Sequence, residues 1–498
     1  MSDLTVQLTA PNGRTYAQPL GLFINNEFVA SKSGKRIDSI NPSDESVIAS
    51  VYAAGPEDVD IAVQAARNAL NSPEWEDLPP TERGQMMTRL ADMMEENKEL
   101  FATIDAWDNG KPYSEALEGD LPEAIGTIRY YAGWADKTFG QTINTTSAKF
   151  AYTIRQPIGV VGQIIPWNYP LSMAAWKLGP AIACGNTVVL KAAEQTPLSV
   201  LVLGTLIRQI FPPGVINIIN GLGQDAGSAL VQHADVDKVA FTGSTATARK
   251  IMQMASATLK NITLETGGKS PLIVFGDART DLAVKWAHIG IMSNKGEICT
   301  ATSRIFVEES VYDDFLAQFK SLTESSTVGD PFESATFQGP QVSQAQFNRV
   351  LAYIEQGKKE GATVLTGGQA QKKDGKGFFI APTIFTDVTP DMTIYKEEIF
   401  GPVAVVVKFK AEKDALQMAN DTTYGLGAAV FTENLVRGHR MARKIESGMV
   451  WINSSQDCDF RVPFGGVKQS GIGRELGEAG LEGYSQIKAV HVNMDPDA

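Results

Sequence analysis

Three residues of this sequence could act together on a carbonyl carbon. Cys299 lies in KGEICTATSR, where small residues follow it and the β-branched run RIFV comes soon after. A thiolate is a nucleophile, but an unpaired cysteine is commonly an inert core residue, so its surroundings decide between the two. Glu265, 34 residues earlier, stands in TLETGGKSP beside Gly267 and Gly268, where a glycine pair lets backbone approach a ligand closely. A carboxylate placed there is a candidate general base. Asn168 is held between Trp167 and Tyr169, and between two prolines, in IIPWNYP. Its amide can donate to a developing oxyanion or can shape an Asx turn. Thiol, base and amide together suit covalent attack on a carbonyl followed by release of the acyl group.

A second set of residues suits a dinucleotide. Gly221, Gly223 and Gly227 in GLGQDAG follow the run VINIIN, but their spacing is one residue longer than the usual phosphate-binding fingerprint. About 20 residues beyond Gly221, where that fingerprint carries an acid, stands Phe241. The turn therefore reads as a cofactor loop or as a packing turn. In KVAFTGSTATARK, the run Lys238–Phe241 leads through Gly243 and Ser244 into a helical pattern. That is either an anion site for a pyrophosphate or an ordinary hydroxyl cap. Lys191 and Glu194 follow TVVL, and ligands of open α/β sheets sit at the carboxyl ends of strands. The pair can bond ribose hydroxyls, with the carboxylate opposing a 2′-phosphate, or can form a surface ion pair.

The elements that must position these residues are legible from periodicity. GVVGQII, TVVL, VINIIN and KVAF are continuous apolar runs alternating with helical stretches, the pattern of buried parallel strands in a doubly wound sheet. LIVF, RIFV and VAVVVKF at 272–275, 304–307 and 403–409 form a second such set, so two α/β lobes are expected. Ahead of them, 58–70 and 81–101 carry apolar residues at helical spacing, with Thr81 marking a helix start. Residues 140–155 and 485–493 alternate like exposed strands and are expected to pair into one small projecting sheet.

Composition narrows the partners. The 498 residues, 43 % apolar and 20 % charged, fit a folded protein of several domains. A net charge of −13 repels nucleic acid and anionic membranes. Three scattered cysteines, Cys184, Cys299 and Cys458, form neither a disulfide framework nor a metal-ligand spacing, and four separated histidines give no zinc motif. No metal is expected, and a reducing, cytoplasmic setting fits. The first residues show neither a signal peptide nor a transit peptide, so no targeting segment is expected. No stretch offers about 20 uninterrupted apolar residues to span a bilayer.

The segments IIPWNYP, WKLGPAIACGNTVVLKAAEQTP, KVAFTGST, LETGGKSP, GEICTATSR, KEEIFGPV, WIN and PFGGVKQSGIGRELG occur in this order. In order and approximate spacing the chain resembles the NAD(P)-dependent aldehyde dehydrogenase superfamily from about Gly21 to His491. The resemblance implies Cys299 as nucleophile, Glu265 as deacylation base and Asn168 as oxyanion donor, with Lys177 and Glu475 assisting proton relay. It implies an NAD site built from Ile164, Pro166, Trp167, Lys191, Glu194, Gly223, Gly227, Phe241, Gly243, Ser244, Gly267, Glu398 and Phe400. The implied aldehyde tunnel comprises Tyr169, Trp176, Ile298, Thr300, the stretch 456–460 with Cys458, and Phe464, with Asp457, Asp459 and Arg461 giving a polar mouth.

The implied layout is a dinucleotide-binding domain (1–138 and 158–266), a catalytic domain (267–479) and an oligomerisation domain (139–157 and 480–498). A homodimer or homotetramer follows. The implied reaction is oxidation of an aldehyde to the acid through a thiohemiacetal and a thioester, whose hydrolysis is favoured over transfer to coenzyme A by the presence of Glu265. A cysteine hydrolase and a catalytically silent binding protein are the rival classes. Thr266, Ala192 and Glu297 depart from the family's usual leucine, proline and glutamine, and Glu297 is expected to place a negative charge near the thiol and raise its pKa.

Overall fold

The computed structural model describes residues 4–372 and 375–495. Residues 1–3 and 496–498, the outer ends of the expected dinucleotide-binding and oligomerisation domains, lie outside the described residues. Two mixed sheets dominate. In the first, the buried runs form five parallel strands in the spatial order Asn261–Glu265, Lys238–Thr242, Val160–Ile164, Thr187–Lys191, Ile216–Ile219. All are buried except the start of Asn261–Glu265, which is why they read as unbroken apolar runs. The order reverses at Val160–Ile164, because the chain lays Thr187–Lys191 and Ile216–Ile219 on one side of it and then Lys238–Thr242 and Asn261–Glu265 on the other, and this switch point opens a crevice at the strands' carboxyl ends. Ile164 aligns there with Lys191 and Phe241, and Thr242 with Glu265.

The sheet's edges come from places sequence periodicity did not reveal. The hairpin Leu22–Ile24 and Glu27–Val29 closes one side. Gly471–Ile472, within the range expected for the catalytic domain, pairs antiparallel with Leu264 and Glu265 on the other. The second sheet holds Thr383–Thr386, Val403–Phe409, Arg304–Glu308, Pro271–Val274, Ala429–Phe431 and Trp451–Ile452 in parallel, with Thr363–Thr366 antiparallel at its edge. Only Thr266–Ser270 separates the last residue of a first-sheet strand from the first residue of a second-sheet strand. The chain therefore crosses between sheets directly after Glu265.

The helices follow their apolar spacing, with one correction. Pro56–Leu70 starts on a proline, is capped by Asp58 accepting from the Gly55 N–H at 2.9 Å, and buries Val59, Ala62, Val63 and Ala66. The expected helix 81–101 is two helices, Pro80–Glu96 and Lys98–Asp108. Asn97 breaks it because its side-chain amide donates to the Met93 carbonyl at 2.8 Å, competing with the helical ladder. Pro170–Ala183 is buried along its whole length, and Gly179 admits the Tyr131 ring, since a Cβ there would lie 2.6 Å from it.

The stretch 140–155 is a hairpin rather than one strand. Thr142–Thr146 and Lys149–Pro157 pair antiparallel, and Ser485–Asn493 adds to Lys149–Pro157 over nine residue pairs. Ile143, Phe150, Ile154, Ile487 and Val492 of this three-stranded sheet are exposed. No helix among the described residues is long and apolar enough to cross a membrane.

Candidate functional site

A cavity of about 580 Å3 lies between the two sheets. Its wall includes Cys299, Glu265, Asn168, Glu475, Pro166, Trp167, Gly243, Ser244, Gly267, Glu398 and Phe400, together with Tyr169, Trp176, Ile298, Thr300, Cys458 and Phe464. Most of the residues singled out in the sequence thus converge, although they span more than 300 positions of the chain.

Cys299 occupies the turn leading into the central strand Arg304–Glu308 and is a free thiol, partly exposed to the cavity. Its carbonyl abuts Gly268, where a Cβ would lie 2.4 Å away, so only glycine lets the Glu265 and Cys299 turns meet. Burial raises the thiol's pKa, reinforced by the carboxyls of Glu398 and Glu265. Glu265 ends its strand with a buried carboxyl, neither oxygen having a hydrogen-bond partner among the described residues. Desolvation holds its pKa well above the ordinary range, and the Glu475 carboxyl adds to the rise. Asn168 makes no Asx turn. Its Nδ2 donates to the Glu297 carbonyl at 2.9 Å, which uses one of two amide hydrogens and leaves the second to serve the cavity.

Lys177 is fully buried behind the wall, ion-paired with Glu475 and donating to Thr242 Oγ1 at 2.6 Å. Glu475 carries this pair to the cavity next to Glu265. Glu297 does not face the thiol as expected. It is fully buried, pairs with Lys295 Nζ at 3.1 Å and accepts from the Val342 N–H at 3.1 Å, so its charge is turned away from Cys299. The backbone carbonyl of Glu297, not its carboxylate, meets Asn168.

On the side of the switch point, Ser244 caps the helix Thr245–Ala255, its Oγ accepting from the Thr247 N–H at 3.2 Å while it lines the cavity. The cap reading and the anion reading are compatible, because the helix's first N–H groups face the same space. Gly243 lies under the Phe241 ring, which a Cβ would meet at 2.5 Å, and Gly267 faces the Glu398 carboxylate at 2.1 Å by the same measure. Glu398 accepts from the Gly268 N–H at 2.8 Å, and burial pushes its pKa up to about 7. The Phe400 ring stands edge-on to Trp167 at 5.3 Å.

Ile164, Lys191, Glu194, Gly223, Gly227 and Phe241 lie off the cavity wall. Lys191 is buried at its strand's carboxyl end, 3.4 Å from a half-exposed Glu194, and a Cβ on Gly227 would lie 3.7 Å from its side chain. Gly223–Gly227 is not a turn but the opening of the helical segment that runs on to Gln232. This crevice fits a dinucleotide: glycines stand where a Cβ would fill it, a capped helix end faces it, and a lysine and carboxylate adjoin it.

At the other end Trp176 packs edge-on against Phe464 at 4.8 Å. Asp459 pairs with Arg461 at 2.8 Å, and these two and Asp457 take no part in the wall. Of the stretch 456–460, Gln456 and Cys458 reach the cavity, whereas Phe460 packs into the space left by Gly126. Sequence reading missed Glu115, Asp120 and Glu123, which line this end. Glu123 accepts from the Trp176 indole N–H, Asp120 is ion-paired with Lys111, and burial pushes Glu123 up to about 7. It also missed Met173 and Ser172, which a helix starting at Pro170 places one turn from Trp176. That spacing was an available signal; for the three carboxylates none existed. Among the described residues no group of three or more histidine, cysteine or carboxylate side chains could hold a metal ion.

Comparison with known proteins agrees with this geometry. Residues 28–490 match the aldehyde dehydrogenase family. An aldehyde dehydrogenase of Alternaria alternata is 53 % identical over 492 residues, 98 % of each chain, and one of Emericella nidulans is 54 % identical over 496 residues, 99 % of each. The solved NAD+ complex of an aldehyde dehydrogenase from Bacillus cereus superposes with a TM-score of 0.94 at 48 % identity, covering 96 % of this chain and 97 % of that one.

Proposed function

The chain belongs to the aldehyde dehydrogenase family, and from that membership we infer that it is an NAD-dependent enzyme oxidising an aldehyde to the carboxylic acid, with Cys299 as nucleophile. The observation that carries the residue assignment is the meeting of Cys299, Glu265 and Asn168 on one cavity wall beside the dinucleotide crevice. When bound, NAD supplies the acceptor for the hydride that leaves the aldehyde carbon. Lys191 and Glu194 would hold its adenosine ribose, Ser244 and the helix behind it the pyrophosphate, and Glu398 with Phe400 the nicotinamide ribose. Ile164, Pro166, Trp167, Phe241, Gly243, Gly267, Gly223 and Gly227 would shape the crevice.

The chain's own residues set the order of events. Burial disfavours the thiolate of Cys299, so the thiol gives up its proton to solvent as it attacks, and the Glu265 carboxylate on the same wall is kept for the later step. The sulfur adds to the aldehyde carbon, and the oxygen's charge is met by the second Asn168 amide hydrogen and the Cys299 backbone N–H. After oxidation the acyl group is a thioester on Cys299. Glu265 then takes a proton from water, which attacks the thioester carbon, and hands it to the departing sulfur, releasing acid and thiol. Glu475 and Lys177, paired with each other behind Glu265, would relay protons between that carboxyl and solvent outside the cavity. Formation of NADH from a panel of aldehydes, followed by absorbance, tests the reading; no NADH with any of them refutes it.

The same reading divides the chain into the dinucleotide-binding, catalytic and oligomerisation domains described above. The exposed apolar side chains of the three-stranded sheet support a homodimer or homotetramer, and the isolated cysteines support a cytoplasmic setting.

A further inference from the structure

A buried cation and a buried carboxylate stand two residues apart immediately before the nucleophile, and no step derived above uses either. Lys295 and Glu297 are both 0 % exposed. Lys295 is the middle of three successive residues in the left-handed region, Asn294 at φ 43°, Lys295 at 62° and Gly296 at 71°. Two non-glycine residues in that region persist only where the surroundings hold them. Here a circuit of hydrogen bonds closed by one ion pair does so. Lys295 Nζ donates to the Asn109 carbonyl at 3.0 Å and to Asn109 Oδ1 at 2.7 Å, and Asn109 Nδ2 donates to the Trp167 carbonyl at 2.8 Å. From Lys295 the circuit passes to Glu297, whose other oxygen is fixed by the Val342 N–H. The Glu297 carbonyl then receives Asn168 Nδ2, while Asn294 Nδ2 donates to the carbonyls of both Asn168 and Glu297 at 3.2 Å. Trp167 and Asn168 are neighbours, so the circuit ties the turn that carries Cys299 to the turn that carries the oxyanion amide.

We propose that the Lys295–Glu297 ion pair is a positioning device that aims the Asn168 amide at the carbonyl attacked by Cys299. The proposal rests on the assignment of those two residues given above. One hydrogen of the amide is anchored by the Glu297 carbonyl, so the direction of the other depends on where residues 294–297 sit. A buried pair broken on one side leaves an uncompensated charge that the turn must move to solvate, and the amide moves with it.

Two reactions of the full-length chain separate this role from a general one. Acylation by 4-nitrophenyl acetate, read as nitrophenolate release, needs the thiol and the oxyanion amide but no NAD. Alkylation of Cys299 by iodoacetamide, read by mass spectrometry at that residue, needs the thiol and forms no oxyanion. E297Q and K295M should each slow acylation by about tenfold or more, in the range found for loss of an oxyanion donor, while alkylation stays within about threefold of the parent. Acylation within about threefold of the parent in both variants overturns the proposal. So does a fall in alkylation by the same factor as acylation, because the thiol itself would then have moved. If either charge variant fails to fold, N109S cuts the same circuit at an uncharged residue and must show the same split. Unchanged acylation in N109S is equally fatal. A parent chain that cleaves the ester but forms no NADH from any aldehyde would sink the dehydrogenase reading and leave this test standing; a parent that cleaves no ester would sink the brace with its premise.

Discussion

At the scale of single residues, the site separates groups that react from groups that hold. Cys299→Ala changes one small side chain facing the cavity, so fold and NAD binding should persist. NADH formation should fall by a factor of about 10² or more, the loss typical of a single catalytic group. Retained turnover with an unchanged melting temperature would remove the thiol from the mechanism. Glu265→Gln should still give a pre-steady-state burst of NADH and then stall at the thioester. Since burial holds the Glu265 pKa well above the usual value of about 4.3, its basic form gains population as pH rises. Steady-state turnover of the parent should therefore climb through a pH range well above that of an ordinary glutamate. The variant, stalled, should lack that limb; equal loss of burst and steady state would assign Glu265 a structural role instead. Glu194, half-exposed and 3.4 Å from Lys191, should favour NAD over NADP. Like charges about 4 Å apart repel by roughly 1 kcal/mol in water and more in a partly buried site. Ratios of kcat/KM for the two cofactors should favour NAD by about tenfold and narrow in Glu194→Gln; parity in the parent would place that carboxylate away from the ribose.

At the scale of elements, the helix Leu121–Ala132 contributes what motif reading could not supply. Its Glu123 accepts from the Trp176 indole N–H and from Thr127 Oγ1, and Trp176 packs on Phe464, so one carboxyl fixes an aromatic wall of the aldehyde end. Glu123→Ala should free the indole and shift kcat/KM toward broad aldehydes such as benzaldehyde over acetaldehyde, by about tenfold, the scale of a lost buried hydrogen bond. Glu123→Gln keeps an acceptor and should hold the parent's preference. An unchanged ratio in the alanine variant would mean that the wall does not depend on the carboxyl. Glu265 and Asn168 were legible because each sits in a short segment whose neighbours, a glycine pair or flanking prolines, are themselves part of the geometry, and Cys299 gained its meaning beside them. Glu123 was not, because nothing within its helix distinguishes a carboxyl facing the cavity from one facing water. The Glu297 reading failed for a related reason. A sequence places its charge two residues from the thiol but cannot show that Lys295, on a left-handed backbone, draws the side chain the other way.

At the scale of the whole molecule, the three-stranded sheet leaves Ile487 64 % exposed and Val492 38 % exposed, an apolar face that folded chains normally cover. Truncation after Gly483 should remove Ser485–Asn493, strip Lys149–Pro157 of its longer partner and give a poorly soluble or inactive protein. The parent should scatter light as a dimer or larger at micromolar concentration; a fully active monomer of about 54 kDa would refute the assembly. Both large sheets were foreseeable because their buried strands read as unbroken apolar runs, whereas their edges, the hairpin Leu22–Val29 and the strand Gly471–Ile472, were too short for periodicity to register.

The late place of Gly471–Ile472 and Ser485–Asn493 in the chain bears on how the protein is made. Gly471–Ile472 settles beside Leu264 and Glu265, and Ser485–Asn493 beside Lys149–Pro157, so each meets a partner synthesised on the order of 200 to 330 residues earlier. At roughly 5–20 residues per second, the ribosome delivers them tens of seconds after the strands they complete. Until then the flank of the strand that ends in Glu265 is open to water, and the carboxyl is not yet enclosed. The parallel sheet can assemble during translation, but the chemistry of its base must wait for nearly the whole message to be read.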